Sequence, residues 1–482
     1  MKKITIIGAG LGGLTAGALL AQDGYRVTVL EQHNIVGGSA TNFKRKGGFI
    51  CEVGLHEMDG VYTNPQLKMI FEKLNVYNNV KFLKAPEFLE LTTKNGKYYI
   101  PDGVNEAKEA LQNYFPSQNS GLDDYFKLIK DISDAFEKLQ DLKLQHYLFF
   151  PFYFYKVLQY RDKTVTEVLD KLIDNEELKL ILNANVQYYN DTPDTLSFLL
   201  HAVAQYSYYK GGGYFVQGGS GRLSDYLASV IKKHGGEITT KASVISVSKD
   251  EVRYIYKREE LTIKTDIVIS NLSPETTYKL FGKSSTREKE YAESLLTTYI
   301  GFSINLKEHY GKRAYSNFLF DEVDSISEYN QMIQKDITQR GFVFVDYSQI
   351  DSKLTKESSK SFGVACMIDN IQEWEELTKD DYNKKKIKLE ESIVKRLEKE
   401  YPGISKYIEY IETGTAKTVQ RYIKTPNGTA YGYKPTPKQF FKVPKSKDKK
   451  IDNLYFVGQW VICGGFRPSI SSGFICYKEI VS

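Results

Sequence analysis

Residues 2–32 read KKITIIGAGLGGLTAGALLAQDGYRVTVLEQ. Ile4, Ile6 and Ile7 form a short β-branched run, the pattern of a strand buried on both faces. Gly8, Gly10 and Gly13 follow in G-x-G-x-x-G spacing. LTAGALLAQDG then reads as a helix and RVTVLE as a second strand ending on Glu31, 18 residues after Gly13. Gly8 permits the tight turn, Gly10 lets a pyrophosphate approach the backbone, and Gly13 allows close helix–strand packing. The helix N-terminus offers free N–H groups and a positive dipole end to phosphates. Glu31 stands where a carboxylate accepts both hydroxyls of an adenosine ribose. A lone glycine triplet is a weak signal; strand, triplet, helix and terminal acid in order predict a Rossmann-type dinucleotide-binding unit.

The remaining composition narrows the function classes. The 482 residues exceed one simple core, so two domains are expected. With 65 basic and 60 acidic residues the formal charge is +5, which gives no case for nucleic acid. Four cysteines, Cys51, Cys366, Cys463 and Cys476, show no C-x-x-C spacing, and the six histidines are scattered. No metal site and no disulfide framework is expected, which points to a reducing, cytoplasmic setting. The N-terminus resembles a signal peptide only superficially, because four glycines interrupt it before Leu14. No run of about 18 apolar residues is present, so no membrane span is expected.

Six residues beyond Glu31 comes GGSATNFKRKGGFICEVGLHEMDG (37–60), whose second glycine pair and F-x-x-E-x-G element (Phe49, Glu52, Gly54) resemble the flavin-containing amine oxidase and phytoene desaturase superfamily. YFVQGGSGRLSDYLASVIKKHGGEITTKASVISV (214–247), DIVISNLSPETTYKLFG (266–282) and NLYFVGQWVICGGFRPSISSGFICYKEIV (453–481) resemble further blocks of that superfamily, so the likeness covers essentially the whole chain. The resemblance is strongest to the branch of carotenoid desaturases, carotenoid isomerase and retinol saturase. It implies FAD as cofactor, with Gly38 and Ser39 at the diphosphate and ribitol, Val244 giving backbone contacts to the adenine, Gly458 near the ribitol, and Ile470 to Gly473 opening a helix toward the flavin pyrimidine edge. Two departures stand out. Ser39 replaces the family's usual arginine, so a phosphate contact is missing or supplied elsewhere. Thr415-Ala416 replaces a usual Thr-Pro, which leaves the subfamily open.

The fold class expected is α/β: a Rossmann-type FAD-binding domain (residues 1–60, 212–285 and 412–482) interleaved with an α+β substrate domain (61–211 and 286–411). Residues 121–145 and 163–205 show helical periodicity. Residues 382–404 read as a charged amphipathic helix stopped at Pro402-Gly403, with Ile387, Ile393, Val394, Leu397 and Tyr401 on its apolar face. The basic stretch 442–450 has two open readings, a solvated loop and contact with an anionic membrane surface. No second glycine triplet on a strand–helix unit suggests a nicotinamide nucleotide.

Since a flavin carries its own redox chemistry, few catalytic side chains are expected. By the resemblance, His56 runs past the ring, where an imidazole can exchange a proton with a double bond; a purely packing or orienting role stays open. Tyr431 matches a position lining the flavin pocket, with core packing as its alternative. Cys463 lies nearby but lacks the motif of a covalent tether. The stretch YLFFPFYFYKVLQY (147–160) holds eight aromatic residues in fourteen, with Lys156 within it and Arg161 beyond. Such a patch suits docking on a membrane and admission of a lipid, peripherally on the inner face; ordinary core is the alternative. Residues 188–214 add aromatics that suit a tunnel wall. The expected function is FAD-dependent desaturation, saturation or isomerisation of C–C bonds in a long apolar lipid, isoprenoid, carotenoid or retinoid in kind. Its rivals are a flavin-dependent amine oxidase and a non-enzymatic prenyl-lipid carrier of the GDP-dissociation-inhibitor type.

Overall fold

The computed structural model describes residues 2–140, 150–188, 192–284 and 289–482, with the backbone alone at 140 and 150–153. Strand β1 (Lys3–Ile7), helix α1 (Leu11–Gln22) and strand β2 (Arg26–Glu31) form as their sequence implies. They lie in a five-stranded parallel sheet ordered Glu237–Thr240, β2, β1, Ile267–Ser270, Leu454–Phe456. Four of the five residues of β1 are buried, as both faces of a doubly wound sheet require. Helix α1 is buried from Leu11 through Ala21, because it is enclosed by the sheet, the helix Gly221–Lys233 and the C-terminal helix Phe466–Val481. A helix closed in on all sides needs apolar residues all round and small ones where backbones meet.

Gly13 and Gly473 show this. A Cβ on Gly13 would lie 2.5 Å from the Gly8 carbonyl oxygen, so its absence sets the helix–strand distance. A Cβ on Gly473 would lie 2.5 Å from the Gly12 carbonyl oxygen and 2.9 Å from Thr15 Cβ. Gly473 thus sits in the crossing of α1 with the C-terminal helix and not on the cavity described below. Gly473→Ala is expected to destabilise the fold by about 1–3 kcal/mol through overpacking. Denaturant unfolding of the variant checks this, and an unchanged midpoint would mean that the crossing adjusts without cost.

The second large sheet has seven strands, ordered Ile408–Gly414, Ser294–Phe302, Ser361–Asp369, Phe342–Asp346, Ser316–Phe320, Leu89–Thr93, Lys97–Ile100. All neighbours are antiparallel except Ser316–Phe320 with Leu89–Thr93. Helix Lys379–Glu400 covers it through Leu389, Ile393 and Leu397. Ile387, expected on that apolar face, is exposed, and Leu389 takes its place. Arg396 is buried there too, donating to the carbonyls of Arg340 and Leu319 and pairing with Asp321.

The helical periodicity of 163–205 resolves into separate pieces. Val165–Leu172 starts at a capping box of Thr164 and Glu167, Glu176–Ile181 starts under Asn175, and Phe198–Gly211 follows a non-helical segment. Each cap stops one register and begins another, which periodicity alone does not show. Residues 119–140 are helical, and 141–149 lie outside the described residues.

The aromatic stretch differs from its expectation. Residues Phe150–Tyr160 form an α-helix packed on Asn119–Gln140. Pro151 is tolerated because it stands in the first turn, where the missing N–H has no helical partner to lose. Phe154 is 1% exposed and belongs to the core, while Tyr155 and Leu158 are 58% and 45% exposed. The helix is therefore amphipathic and not wholly a surface patch. Phe149 lies outside the described residues.

Candidate functional site

A cavity of about 650 Å³ opens at the C-terminal ends of the parallel strands and runs toward the second sheet and the helices. This is where open α/β sheets place their ligands. At one end its wall carries Gly10, Gly38, Ser39, Val244 and Gly458; farther along come His56 and Tyr431. With Cys463, eight of the residues singled out from sequence thus share one cavity. Gly8, Gly13, Glu31, Ile470 and Gly473 are not on its wall. Gly8 makes the turn at φ +93°, and Ile470 is fully buried within the C-terminal helix. Glu31 is buried, and its carboxylate accepts the Ala9 N–H at 2.7 Å and the His33 N–H at 2.8 Å, tying the glycine turn to the end of β2.

The glycine end suits a dinucleotide on its geometry. Helix α1 begins at Gly10 with no side chain capping its N–H groups. The C-terminal helix begins at Gly465, φ +106°, likewise uncapped. Gly465, Phe466 and Arg467 line the cavity along with Gly10 to Gly12, so two positive helix ends face one space. At Gly38 (φ +60°) a Cβ would meet only the Gly10 Cα, at 3.6 Å, so this side of the backbone is open to the cavity.

Asn271, absent from the sequence reading, is central to this end. It follows strand Ile267–Ser270, and its side chain occupies the space that a Cβ would take at Gly10 and at Gly458. The glycines at these two positions are thus required by a protein amide. Its place at a strand's C-terminal end was the available signal. Ser39 is exposed and adds no charge; among the described residues the only lysine or arginine side chains on the wall are Lys424 and Arg467.

His56 is held by its backbone. Tyr347 donates to the Leu55 carbonyl at 2.8 Å, Tyr315 to the His56 carbonyl at 2.7 Å, and Tyr208 to the Glu57 carbonyl at 3.5 Å. Just upstream, the buried Glu52 carboxylate accepts the N–H groups of Gly54, Leu55 and Ser220 and the Ser220 hydroxyl. The imidazole makes no hydrogen bond to any described residue and meets the Tyr188 ring edge-on at 5.7 Å. Desolvation lowers its pKa to about 4, so it is neutral at pH 7. Glu57, also on the wall, accepts the Ser316 hydroxyl at 2.5 Å; burial, reinforced by Glu87 and Asp102, raises it to about 8, so it is mostly protonated at neutral pH. Burial pushes the phenols of Tyr431 and Tyr188 well above their ordinary range. Burial also raises the Cys463 thiol to about 12, too high for a reactive thiolate. Around His56 the wall therefore offers donors and acceptors with little net charge. Phe136, Leu200, Val203, Leu295 and Phe440 line its apolar arm.

Glu57 and Arg467 were also missed. Arg467 pairs with Asp59 at 2.8 Å on the same wall. The signal available was a lone cation inside the otherwise uncharged run 456–477.

Comparison with known proteins agrees with this geometry. The model of the flavin containing amine oxidoreductases matches residues 11–310. Among curated proteins, the all-trans-retinol 13,14-reductase of Danio rerio is 24% identical over 99% of this chain and 85% of its own. The chloroplastic prolycopene isomerase of Daucus carota is 27% identical over 99% of this chain and 79% of its own. Among solved structures, cyclohexylamine oxidase from Brevibacterium oxydans shares the fold with a TM-score of 0.64 at 14% identity, over all of both chains. A glycine-walled cavity at the carboxyl ends of a parallel sheet, two uncapped helix ends facing it, and a family match over more than half its length lead to one conclusion: the chain belongs to the flavin containing amine oxidoreductase family, as an oxidoreductase with FAD as its cofactor.

Proposed function

We propose that this protein changes carbon–carbon double bonds of a long apolar, isoprenoid-like lipid, by desaturation, saturation or isomerisation. The observation that carries this is the wall around His56: a neutral imidazole, a protonated Glu57 and a neutral Tyr431 facing an apolar arm continuous with the dinucleotide end. FAD, when bound, supplies the two-electron redox chemistry. In this reading His56 exchanges one proton at a substrate carbon, and Tyr431 bounds the space in which that carbon sits. The relatives that align along the whole chain are named for a retinol and a prolycopene, which favours polyenes over amines. The experiment is to mix FAD-loaded protein, oxidised or dithionite-reduced, with retinol and with a poly-cis carotenoid. Products are followed by chromatography and mass spectrometry. A shift in double-bond number or geometry supports the reading; turnover of amines alone overturns it in favour of an amine oxidase. A purified protein without flavin absorbance would point to a lipid carrier. Acid precipitation is expected to release the FAD, and flavin left in the pellet would implicate Cys463 as a tether.

In the same reading, Gly8, Gly10, Gly13, Glu31, Gly38, Ser39, Val244 and Gly458 build the FAD site. Residues 1–60, 212–285 and the C-terminal part form its domain. Because strand Ile408–Gly414 pairs within the seven-stranded sheet, we place the last boundary after Gly414. The lipid enters from a membrane surface past Phe441, which is 53% exposed and stacks near-parallel to Phe136 at 6.5 Å. Phe440, its neighbour, lines the cavity, and Lys438 and Lys442 flank the pair. Such an aromatic edge rimmed by lysines suits anionic headgroups, at about 1 kcal/mol per cation. The doubly substituted Leu158→Ser/Phe441→Ser protein is expected to stay folded and yellow and to lose binding to anionic liposomes. It should keep activity on detergent-dispersed substrate. Unchanged liposome binding would move the docking face elsewhere.

A further inference from the structure

We propose that Arg467 anchors the carboxylate end of an otherwise apolar ligand. The proposal rests on the lipid-binding reading above and adds the chemistry of the ligand's polar end. Asp59 and Arg467 form the only ion pair on the cavity wall among the described residues. Their side chains are only 12% and 15% exposed. The contact is close but oblique: the Arg467 Nε and Asp59 Oδ2 atoms are buried, and neither has a hydrogen-bond partner. The two terminal nitrogens of the guanidinium donate to no described residue. A guanidinium carries five N–H donors in a planar fork; the terminal nitrogens, unlike Nε, are not fully buried, so a ligand can reach them. A planar two-oxygen acceptor fits that fork better than a hydroxyl does.

Asp59 offsets the charge of Arg467, so the pull on an anion comes from the unpaired terminal donors and from the helix end. Arg467 stands in the first turn of the uncapped C-terminal helix, whose N–H groups add positive potential. Glu57, the other acid on the wall, is mostly protonated and adds little negative charge. The surroundings also end the apolar arm. Phe136, Val203 and Arg467 line both the main cavity and a side recess of about 20 Å³, whose wall also carries Thr63, Asn64, Ser133 and the Glu137–Lys210 ion pair. This recess has room for one water beside a headgroup. A ligand whose chain lies along Phe136 and Val203 thus brings its polar end beside Arg467 and this polar recess.

Arachidonate, its methyl ester and its alcohol test this on the FAD-loaded protein, with dissociation constants measured calorimetrically below the critical micelle concentration. The acid is expected to bind roughly tenfold to hundredfold more tightly than the ester or the alcohol. In the Asp59→Asn/Arg467→Met double variant, measured on the protein that retains FAD, that preference should fall to within about twofold. Arg467→Lys, which keeps the charge and loses the fork, should lose most of it. Equal binding of acid and ester by the wild type overturns the proposal without any variant. Retention of the preference in the double variant also overturns it, as does a lost FAD complement with the preference intact, which would assign Arg467 to the cofactor. Binding of none of the three overturns the apolar-ligand reading as well, so the two failures are distinguishable.

Discussion

Replacing His56 by alanine is expected to lower turnover about 10²- to 10⁴-fold while leaving the flavin spectrum and the FAD content intact. The backbone of residues 55–57 is held by three tyrosine hydroxyls, two of them at 2.7–2.8 Å, and none of these bonds involves the imidazole. Removing the ring therefore leaves the segment in place. What is lost is a neutral group that can carry a proton at the wall. Its pH signature is specific. With its pKa lowered to about 4, His56 keeps one protonation state through neutrality, so the wild-type rate should show no step near 6.5. A protonated Glu57 that loses its proton through about 8 should instead give an alkaline decline, which Glu57→Gln removes. Steady-state rates of the three proteins from pH 5 to 10 check both statements. Wild-type turnover in His56→Ala would leave the histidine a packing role.

Glu31→Ala is expected to weaken FAD binding by about 1–3 kcal/mol, or roughly 5- to 150-fold. The carboxylate carries two loads. It accepts the backbone N–H groups of Ala9 and His33, and each oxygen retains a lone pair for a ribose hydroxyl. Alanine leaves the two buried N–H groups unpartnered along with the ligand's hydroxyls. Glu31→Gln separates the loads, because its amide sets an N–H₂ group against one of two donors. Titration of FAD into the apoprotein, read beside the apoprotein's unfolding midpoint, distinguishes lost ligand contacts from a loosened turn. Unchanged FAD affinity in Glu31→Ala would remove the ribose assignment.

The parts of this protein legible in its sequence are those fixed by neighbours in the chain. The β-branched run at Ile4–Ile7, the turn at Gly8 and the helix that follows depend on φ/ψ preferences and on packing within about thirty residues, so β1, α1 and β2 stand where they were expected. The glycines of residues 8–13 likewise indicated a nucleotide before any contact was known. Elsewhere the outcome depended on partners distant in the chain. Asn271 matters because it fills the space above Gly10 and Gly458, and Gly473 because it lies against the Gly12 carbonyl. Leu389 displaces Ile387 on its helix because the seven-stranded sheet decides which face is covered. Phe154 is core and Tyr155 is not, though both stand in one aromatic run, because only the packing of that helix on Asn119–Gln140 distinguishes them. Asp59 and Arg467 read as ordinary charges until the fold brings them to one buried wall, where low polarity turns a pair of charges into a site.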